Sequence, residues 1–99
     1  MNRQTALDIL RDAAPELRSR YGVVGARLFG SVARGDADDQ SDVDVAVRFE
    51  DGQPTDAMNL CGVSGLLSGL FGKDVDVVAL PARDQGLNAA VAREAVVAF

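Results

Sequence analysis

Two neighbouring stretches decide the fold of this chain, LFGSVARGD at Leu28–Asp36 and SDVD at Ser41–Asp44. The first closes an apolar run over Val23–Phe29 with a Gly-Ser pair, which predicts a buried strand followed by a turn. The second opens a strict alternation over Asp42–Phe49, which predicts a strand with both of its Asp side chains on one face. Because Asp is disfavoured inside strands, two on one face indicate a function.

These residues suit phosphate and metal binding. Gly30 lets a phosphate approach the backbone closely, Ser31 adds a hydroxyl, and a helix starting here would attract an anion. Asp42 and Asp44, about 7 Å apart along a strand, are hard oxygen donors that can share a pair of divalent ions such as Mg²⁺. A phosphate cradle with a carboxylate-held metal is the minimum apparatus for phosphoryl or nucleotidyl transfer. The alternative is that the Gly-Ser turn and the Asp-rich loop are ordinary surface turns without a functional role.

A second acidic pair, Asp74 and Asp76, repeats the spacing of the first. Asp76 is the candidate third carboxylate, since on a neighbouring strand it would ligate a metal and accept the proton of an attacking hydroxyl. The alternative for Asp76 is an exposed acid on an edge strand, and Asp74 suits a solvated position at the strand start. Arg34 could clamp a triphosphate or pair with Asp36 or Asp38.

The hydrophobic periodicity predicts six main elements in the order α-β-β-α-β-α, with the first helix broken at Pro15. They form a mixed α/β (α+β) sheet with helices covering one face. Gly22 and Gly72 are helix stops, and Thr55 is a candidate helix cap. The predicted bounds are helices at 4–13 and 15–21, a strand at 23–29, a loop or one helical turn at 30–41, a strand at 42–49, a helix at about 56–71, a strand at 75–80 and a helix at 87–99.

Composition narrows the class of protein. The chain has 99 residues, no His and a formal net charge of −5, which predicts a single domain over 1–99, excludes His-liganded zinc and argues against direct binding to nucleic acids. The single Cys61 forms no internal disulfide. No leader or membrane span is visible in the sequence, so we expect a cytoplasmic protein without membrane contact.

The motifs resemble the minimal nucleotidyltransferases of the polymerase-beta superfamily. The resemblance covers nearly the whole chain, and its stretches are LFGS at 28–31, ARG at 33–35, SDVD at 41–44, GKDVDVV at 72–78 and AREAV at 92–96. It implies the nucleotidyltransferase fold, a small mixed β-sheet covered by helices. Gly30 and Ser31 would be the phosphate-binding pair, Asp42 and Asp44 the metal ligands, and Asp76 the third acid.

The resemblance also implies a biological setting. Small members of this family are commonly the antitoxins of toxin-antitoxin modules, and their partner is a helical HEPN-domain ribonuclease. The implied reaction transfers AMP from ATP, with Mg²⁺, to a tyrosine of the toxin. Two alternatives stay open, namely a binding module that blocks its partner sterically and nucleotidyl transfer to a small molecule. Since no second domain is visible, we expect the partner to supply part of the site.

Overall fold

The computed structural model describes residues 2–38, 41–50, 57–81 and 85–99. Its elements are α1 (Arg3–Tyr21), β1 (Val23–Phe29), α2 (Gly30–Arg34), β2 (Val43–Phe49), α3 (Ala57–Phe71), β3 (Val75–Ala79), α4 (Gln85–Glu94) and β4 (Val96–Val97). The strands form one sheet in the order β3-β2-β1-β4, in which β2 and β3 are parallel and β1 is antiparallel to both of its neighbours. The predicted mixed sheet with helices is therefore confirmed. The sequence also predicts a loop or cap role for Asp39 and a turn at 51–54, and these positions lie outside the described residues, as does the Thr55 cap.

Pro15 does not break the first helix, so the prediction of two helices at 4–13 and 15–21 was wrong. Helix α1 is continuous and ends at Gly22, whose N–H donates to the carbonyl of Arg18 at 3.0 Å. Pro15 lies on the exposed side of the helix, as does Arg11, whose carbonyl loses its partner. Water can solvate that carbonyl, and the buried side of α1 outweighs a penalty of about 3 kcal/mol for the proline. That side comprises Ala6, Leu7, Leu10, Ala13 and Leu17.

The sheet has helices on both faces, where the sequence placed them on one. Helices α1 and α3 cover the main core against Leu28, Val45 and their neighbours. Helix α4 packs on the opposite face through Val91, which contacts a smaller cluster with Phe29 and Ala46. No helix in the described ranges is both long and apolar enough to cross a lipid bilayer.

The C-terminal segment differs from the predicted helix at 87–99. Helix α4 ends at Glu94, and Val96–Val97 form β4 beside β1. The pairing extends past the strand, because the Ala98 N–H donates to the Ala26 carbonyl at 2.9 Å and the Ala26 N–H donates to the Phe99 carbonyl at 3.2 Å. Without β4, β1 would be an edge strand with unpaired backbone groups, and β-branched valines suit the strand that pairs them.

Candidate active site

Three strands bring one row of side chains to a single face of the sheet. Strand register aligns Phe29 of β1 with Asp44 of β2, and Asp44 with Asp76 of β3. Adjacent strands lie about 4.8 Å apart, so the two acids are closer across the sheet than acids two positions apart along a strand. Asp44 is half-buried and Asp76 is exposed. The predicted juxtaposition of Asp76 with the first acidic pair is therefore present in the fold.

Helix α3 fixes the strand that carries Asp76. The Ser64 hydroxyl donates to the Val75 carbonyl at 2.9 Å, and the Val75 N–H donates to the Ser68 hydroxyl at 3.2 Å. The Val43 N–H also donates to the Asp74 carbonyl at 3.2 Å, which locks the starts of the two parallel strands together. Sequence reasoning missed the two serines, although their spacing of four residues places them on one helix face.

Gly30 lies directly against the Asp44 carboxylate. It joins β1 to α2 with a φ of +74°, a conformation that favours glycine. A Cβ built on Gly30 would lie 3.0 Å from Asp44 Cγ and closer still to Oδ2. Because Gly30 has no side chain, there is room for the Asp44 carboxylate. The start of the α2 backbone also stays accessible beside the row formed by Asp44 and Asp76, which we call the acid row.

The other predicted site residues flank this row. Asp42 precedes β2 and is exposed. Ser31 is half-buried in α2, and its hydroxyl forms no hydrogen bond within the described part of the chain. Its carbonyl accepts from the N–H groups of Gly35 and Asp36, each at 3.0 Å. These hydrogen bonds close the α2 turn and connect it to the loop that follows it in the chain.

Negative charge accumulates at Asp44. Burial contributes most to raising the pKa of its carboxyl group, and the negative charges of Asp76 and Asp42 raise that pKa further. The positive charge of Arg34 opposes this rise, and Glu94 adds to it. A carboxyl group destabilised in its charged form, in an open site with other acids, is characteristic of functional sites.

Arg34 links α2 to the last helix. Its Nε lies 3.1 Å from Asp36 Oδ2, and its Nη1 lies 3.0 Å from Glu94 Oε2. The pairing with Asp36 is one of the two roles that the sequence left open, and phosphate binding by Arg34 stays a prediction. Glu94 is a residue that sequence reasoning missed, because 60 residues separate it from Arg34 and only tertiary packing brings α4 beside α2.

The donor set consists of carboxylate oxygens. Within the described residues, no group of three or more His, Cys, Asp or Glu side chains could hold a metal ion by itself. Mg²⁺ is commonly bound by one or two carboxylates together with substrate phosphates and water, so a complete cage of protein ligands is not required. Asp44 and Asp76 on neighbouring strands, with Asp42 next to them, fit this mode of binding.

The geometry agrees with comparisons to known proteins. Residues 10–96 match the family described as "Nucleotidyltransferase domain". The chain belongs to this family. It is 36% identical over 88 residues to the protein adenylyltransferase MntA of Thermococcus cleftensis, a match that covers 89% of this chain and 87% of the relative. The chain is accordingly an enzyme of the nucleotidyltransferase class.

Solved structures support the family assignment. One described as a minimal nucleotidyltransferase is 38% identical with a TM-score of 0.75, and the match covers 97% of this chain and 95% of that one. A toxin-antitoxin structure with AMP-PNP matches at 25% identity and a TM-score of 0.73, covering 100% and 73% of the two chains. The Y104A mutant of an MntA toxin-antitoxin complex matches at 26% and 0.68, covering 98% and 71%.

Proposed function

We propose that this nucleotidyltransferase transfers AMP from ATP to a hydroxyl group of a partner protein, and that it acts as the antitoxin of a HEPN-family ribonuclease. The observation that carries the proposal is the row of Asp44 and Asp76 beside Gly30, whose missing side chain leaves the Asp44 carboxylate accessible. The similarity to a protein adenylyltransferase at 36% identity supports AMP as the transferred group and a protein as the acceptor.

The α2 turn is the proposed phosphate site. The Gly30 and Ser31 backbone and the Ser31 hydroxyl would bind the triphosphate, since glycine permits the close approach of a phosphate. Arg34 is proposed to contact the phosphates through guanidinium N–H groups other than the two that Asp36 and Glu94 hold. A guanidinium fixed by two acids loses less conformational freedom when it binds a phosphate.

Asp42, Asp44 and Asp76 are the proposed ligands of Mg²⁺, with two ions expected. When bound, the metal supplies positive charge to the phosphates and to the leaving pyrophosphate. This assignment accounts for the site's electrostatics, because a bound cation would offset both the burial and the neighbouring negative charges that raise the pKa of Asp44. Three neighbouring acids that repel one another bring no benefit to the fold, which favours catalysis over a purely steric antitoxin.

The proposed reaction is a displacement at the α-phosphorus of ATP. The acceptor hydroxyl oxygen forms a bond to this phosphorus, the bond to the bridging oxygen of the β-phosphate breaks, and pyrophosphate leaves. Asp76 is proposed to accept the hydroxyl proton on its carboxylate, because it is the exposed acid of the row and lies at the sheet edge. Asp44, which is more buried, stays in its metal-binding role.

The test uses labelled ATP, Mg²⁺ and the helical protein encoded by the adjacent reading frame. We expect label on that protein, its loss with Asp44→Asn and with Asp76→Asn, and its retention with Asp12→Asn, an exposed acid on α1. The Asp12 variant has the same change in net charge as the site variants. The label is placed in turn on the adenine, the α-phosphate and the γ-phosphate of ATP. Label from the γ-phosphate on the partner, or α-phosphate label without adenine label, would show that AMP is not the group transferred.

The steric alternative gives a different result. If Asp44→Asn and Asp76→Asn abolish labelling but still neutralise the partner's ribonuclease activity, neutralisation does not depend on transfer. If the wild-type protein labels no partner but modifies a small-molecule hydroxyl, the protein acceptor is wrong. The expected result is that labelling and neutralisation are lost together in both variants.

A further inference from the structure

Two arginines stand on the same sheet face as the acid row. Arg27 of β1 aligns with Ala46, and Arg48 of β2 aligns with Gly25, so the two side chains lie on adjacent strands of this face. Arg48 is four residues from Asp44 along β2, or about 13 Å. Arg27 is level with Ala46, two residues from Asp44, or about 7 Å. The proposed phosphate site in the α2 turn uses neither arginine.

Within the described residues, neither arginine forms an ion pair. Arg48 is exposed and Arg27 is half-buried. Arg11, Arg20 and Arg34, in contrast, are held by hydrogen bonds to a carbonyl or to acids. The fold therefore presents two arginines without an ion pair on one surface of a chain whose net charge is −5.

The two arginines also line two grooves of the described structure. One groove of about 340 Å³ is lined by Arg27, Arg48, Leu80, Pro81 and Asn88. We call these five residues the arginine groove. A second groove of about 390 Å³ continues past the same arginines to Phe49, Glu50 and Phe99, so its lining has two arginines and one acidic residue. Charged guanidinium groups beside apolar side chains suit a polypeptide segment that carries both acidic and apolar residues.

Strand β3 connects the arginine groove to the acid row. It is an edge strand of the sheet and runs from Asp76 towards Leu80, whose N–H donates to the Val47 carbonyl at 2.8 Å. Four residues of extended chain cover the distance of about 13 Å from Asp76 to Leu80. A segment of similar length could place a hydroxyl at Asp76 and an acidic side chain at the arginines. Helix α4 covers Ala46 between them, so the path follows the β3 edge.

We infer that the arginine groove binds an acidic segment of the acceptor protein, next to the residue that receives the nucleotide. The inference rests on the proposed function, since it assumes that the acceptor is a protein. It explains how a chain with a net charge of −5 attracts an acidic substrate, because local positive charge steers a partner that the overall charge would repel.

The test measures binding of a random copolymer of glutamate and tyrosine, which offers carboxylates and phenolic hydroxyls together. The variants are Arg27→Gln with Arg48→Gln, and as a matched control Arg3→Gln with Arg18→Gln, two exposed arginines on α1. We expect salt-dependent binding by the wild type, about fivefold weaker binding by the groove variant, and unchanged binding by the control.

Three results would overturn the inference. They are no copolymer binding by the wild type, equal weakening in both double variants, or tighter binding of a single-stranded RNA oligonucleotide than of the copolymer at the arginine groove. Thermal stabilisation by Mg²⁺ and ATP is measured on the same samples. If it persists in every variant while copolymer binding is unaffected by the groove substitutions, the docking surface is wrong and the nucleotidyltransferase site stands.

Discussion

At the scale of single residues, Gly30 meets two separate requirements. Its positive φ starts α2, and its missing Cβ leaves space for the Asp44 carboxylate. Gly35 has a similar φ of +84°, but a Cβ there would meet only Arg3 Nη2 at 3.7 Å. Substitutions at both glycines would strain the backbone, whereas only a substitution at Gly30 would crowd the Asp44 carboxylate. A comparison of the two positions therefore separates these effects.

We expect Gly30→Ala to abolish nucleotidyl transfer and Gly35→Ala to retain it. Both variants should lose stability, because a left-handed conformation costs a non-glycine residue about 1–2 kcal/mol, which corresponds to a fall in Tm of about 5–10 °C for a domain of this size. The loss of Tm in thermal unfolding measures the backbone strain. The rate of label transfer, taken at a temperature where each variant is folded, measures the effect on the active site. Equal loss of activity in both variants would contradict the crowding of Asp44.

Asp44 predicts a pH dependence of the metal-free protein. Its pKa is raised in the folded state by burial and by the neighbouring acids, so the folded state binds more protons than the unfolded state between the ordinary and the raised value. The free energy of unfolding then falls as pH rises through that window, and the full penalty is present above it.

We therefore expect Asp44→Asn to raise the Tm of the metal-free protein by a few degrees at neutral pH. The difference from the wild type should shrink as the pH falls towards the ordinary range of an Asp carboxyl group. The measurement is a series of melting curves in a chelating buffer, with Asp12→Asn as the control for net charge. A lower Tm for Asp44→Asn at neutral pH would show that the charged carboxylate stabilises the fold.

At the scale of elements, α3 combines glycines with different surroundings. A Cβ on Gly62 would lie 2.6 Å from Tyr21 Cε1, which shows that this glycine allows α3 to approach α1 closely. A Cβ on Gly65 or Gly69 would meet no atom of the described residues within 4 Å. The sequence alone indicates that all three glycines weaken the helix, and only the structure distinguishes the one that close packing requires.

The combined variant Gly65→Ala with Gly69→Ala is expected to be more stable than the wild type. Each substitution removes a helix penalty of about 0.5–1 kcal/mol, so the pair should raise the Tm by about 5–10 °C. Gly62→Ala should lower the Tm, since the Tyr21 ring would have to move. Thermal unfolding of the two variants measures both effects, and a stabilised Gly62→Ala would mean that the α1–α3 contact is not tight.

The C-terminal elements show how much one segment contributes to the site. Glu94 ends α4 and pairs with Arg34, and two residues later Val96 begins β4 beside Leu28. A predicted single helix at 87–99 would have carried the last valines away from β1. The sheet edge decides the change of structure, because an unpaired strand offers hydrogen bonds that an isolated helix end does not.

At the scale of the whole molecule, the acidic charge has a local explanation. Of the fifteen acidic residues, Asp42, Asp44 and Asp76 lie where the proposed metal and nucleotide bind. The composition alone argues against direct binding to nucleic acids, and the arrangement of the acids on one sheet face argues for a nucleotide bound together with a cation.

Mg²⁺ with ATP is accordingly expected to raise the Tm of the protein by about 10 °C at ligand concentrations near one hundred times Kd, because such a concentration stabilises the folded state by about 2.7 kcal/mol. ATP with a chelator should give a much smaller rise, and Asp44→Asn should lose the metal-dependent part. An equal rise in Tm with and without Mg²⁺ would show that the proposed site does not bind the metal.

The sequence by itself determined the strands around the site and the identity of its candidate residues. Period-two alternation and Gly-Ser punctuation are local signals, so β1, β2 and the acids at Asp42, Asp44 and Asp76 could be predicted from neighbours along the chain. The family resemblance added the fold and the expected chemistry.

Only the tertiary structure decided the rest. The continuity of α1 through Pro15 depends on the apolar face that it buries, and the β4 pairing depends on the open edge of β1. The Arg34–Glu94 ion pair and the alignment of Asp44 with Asp76 join residues far apart in sequence. Such contacts form because burial and backbone pairing act between elements, and no local pattern records which elements will meet.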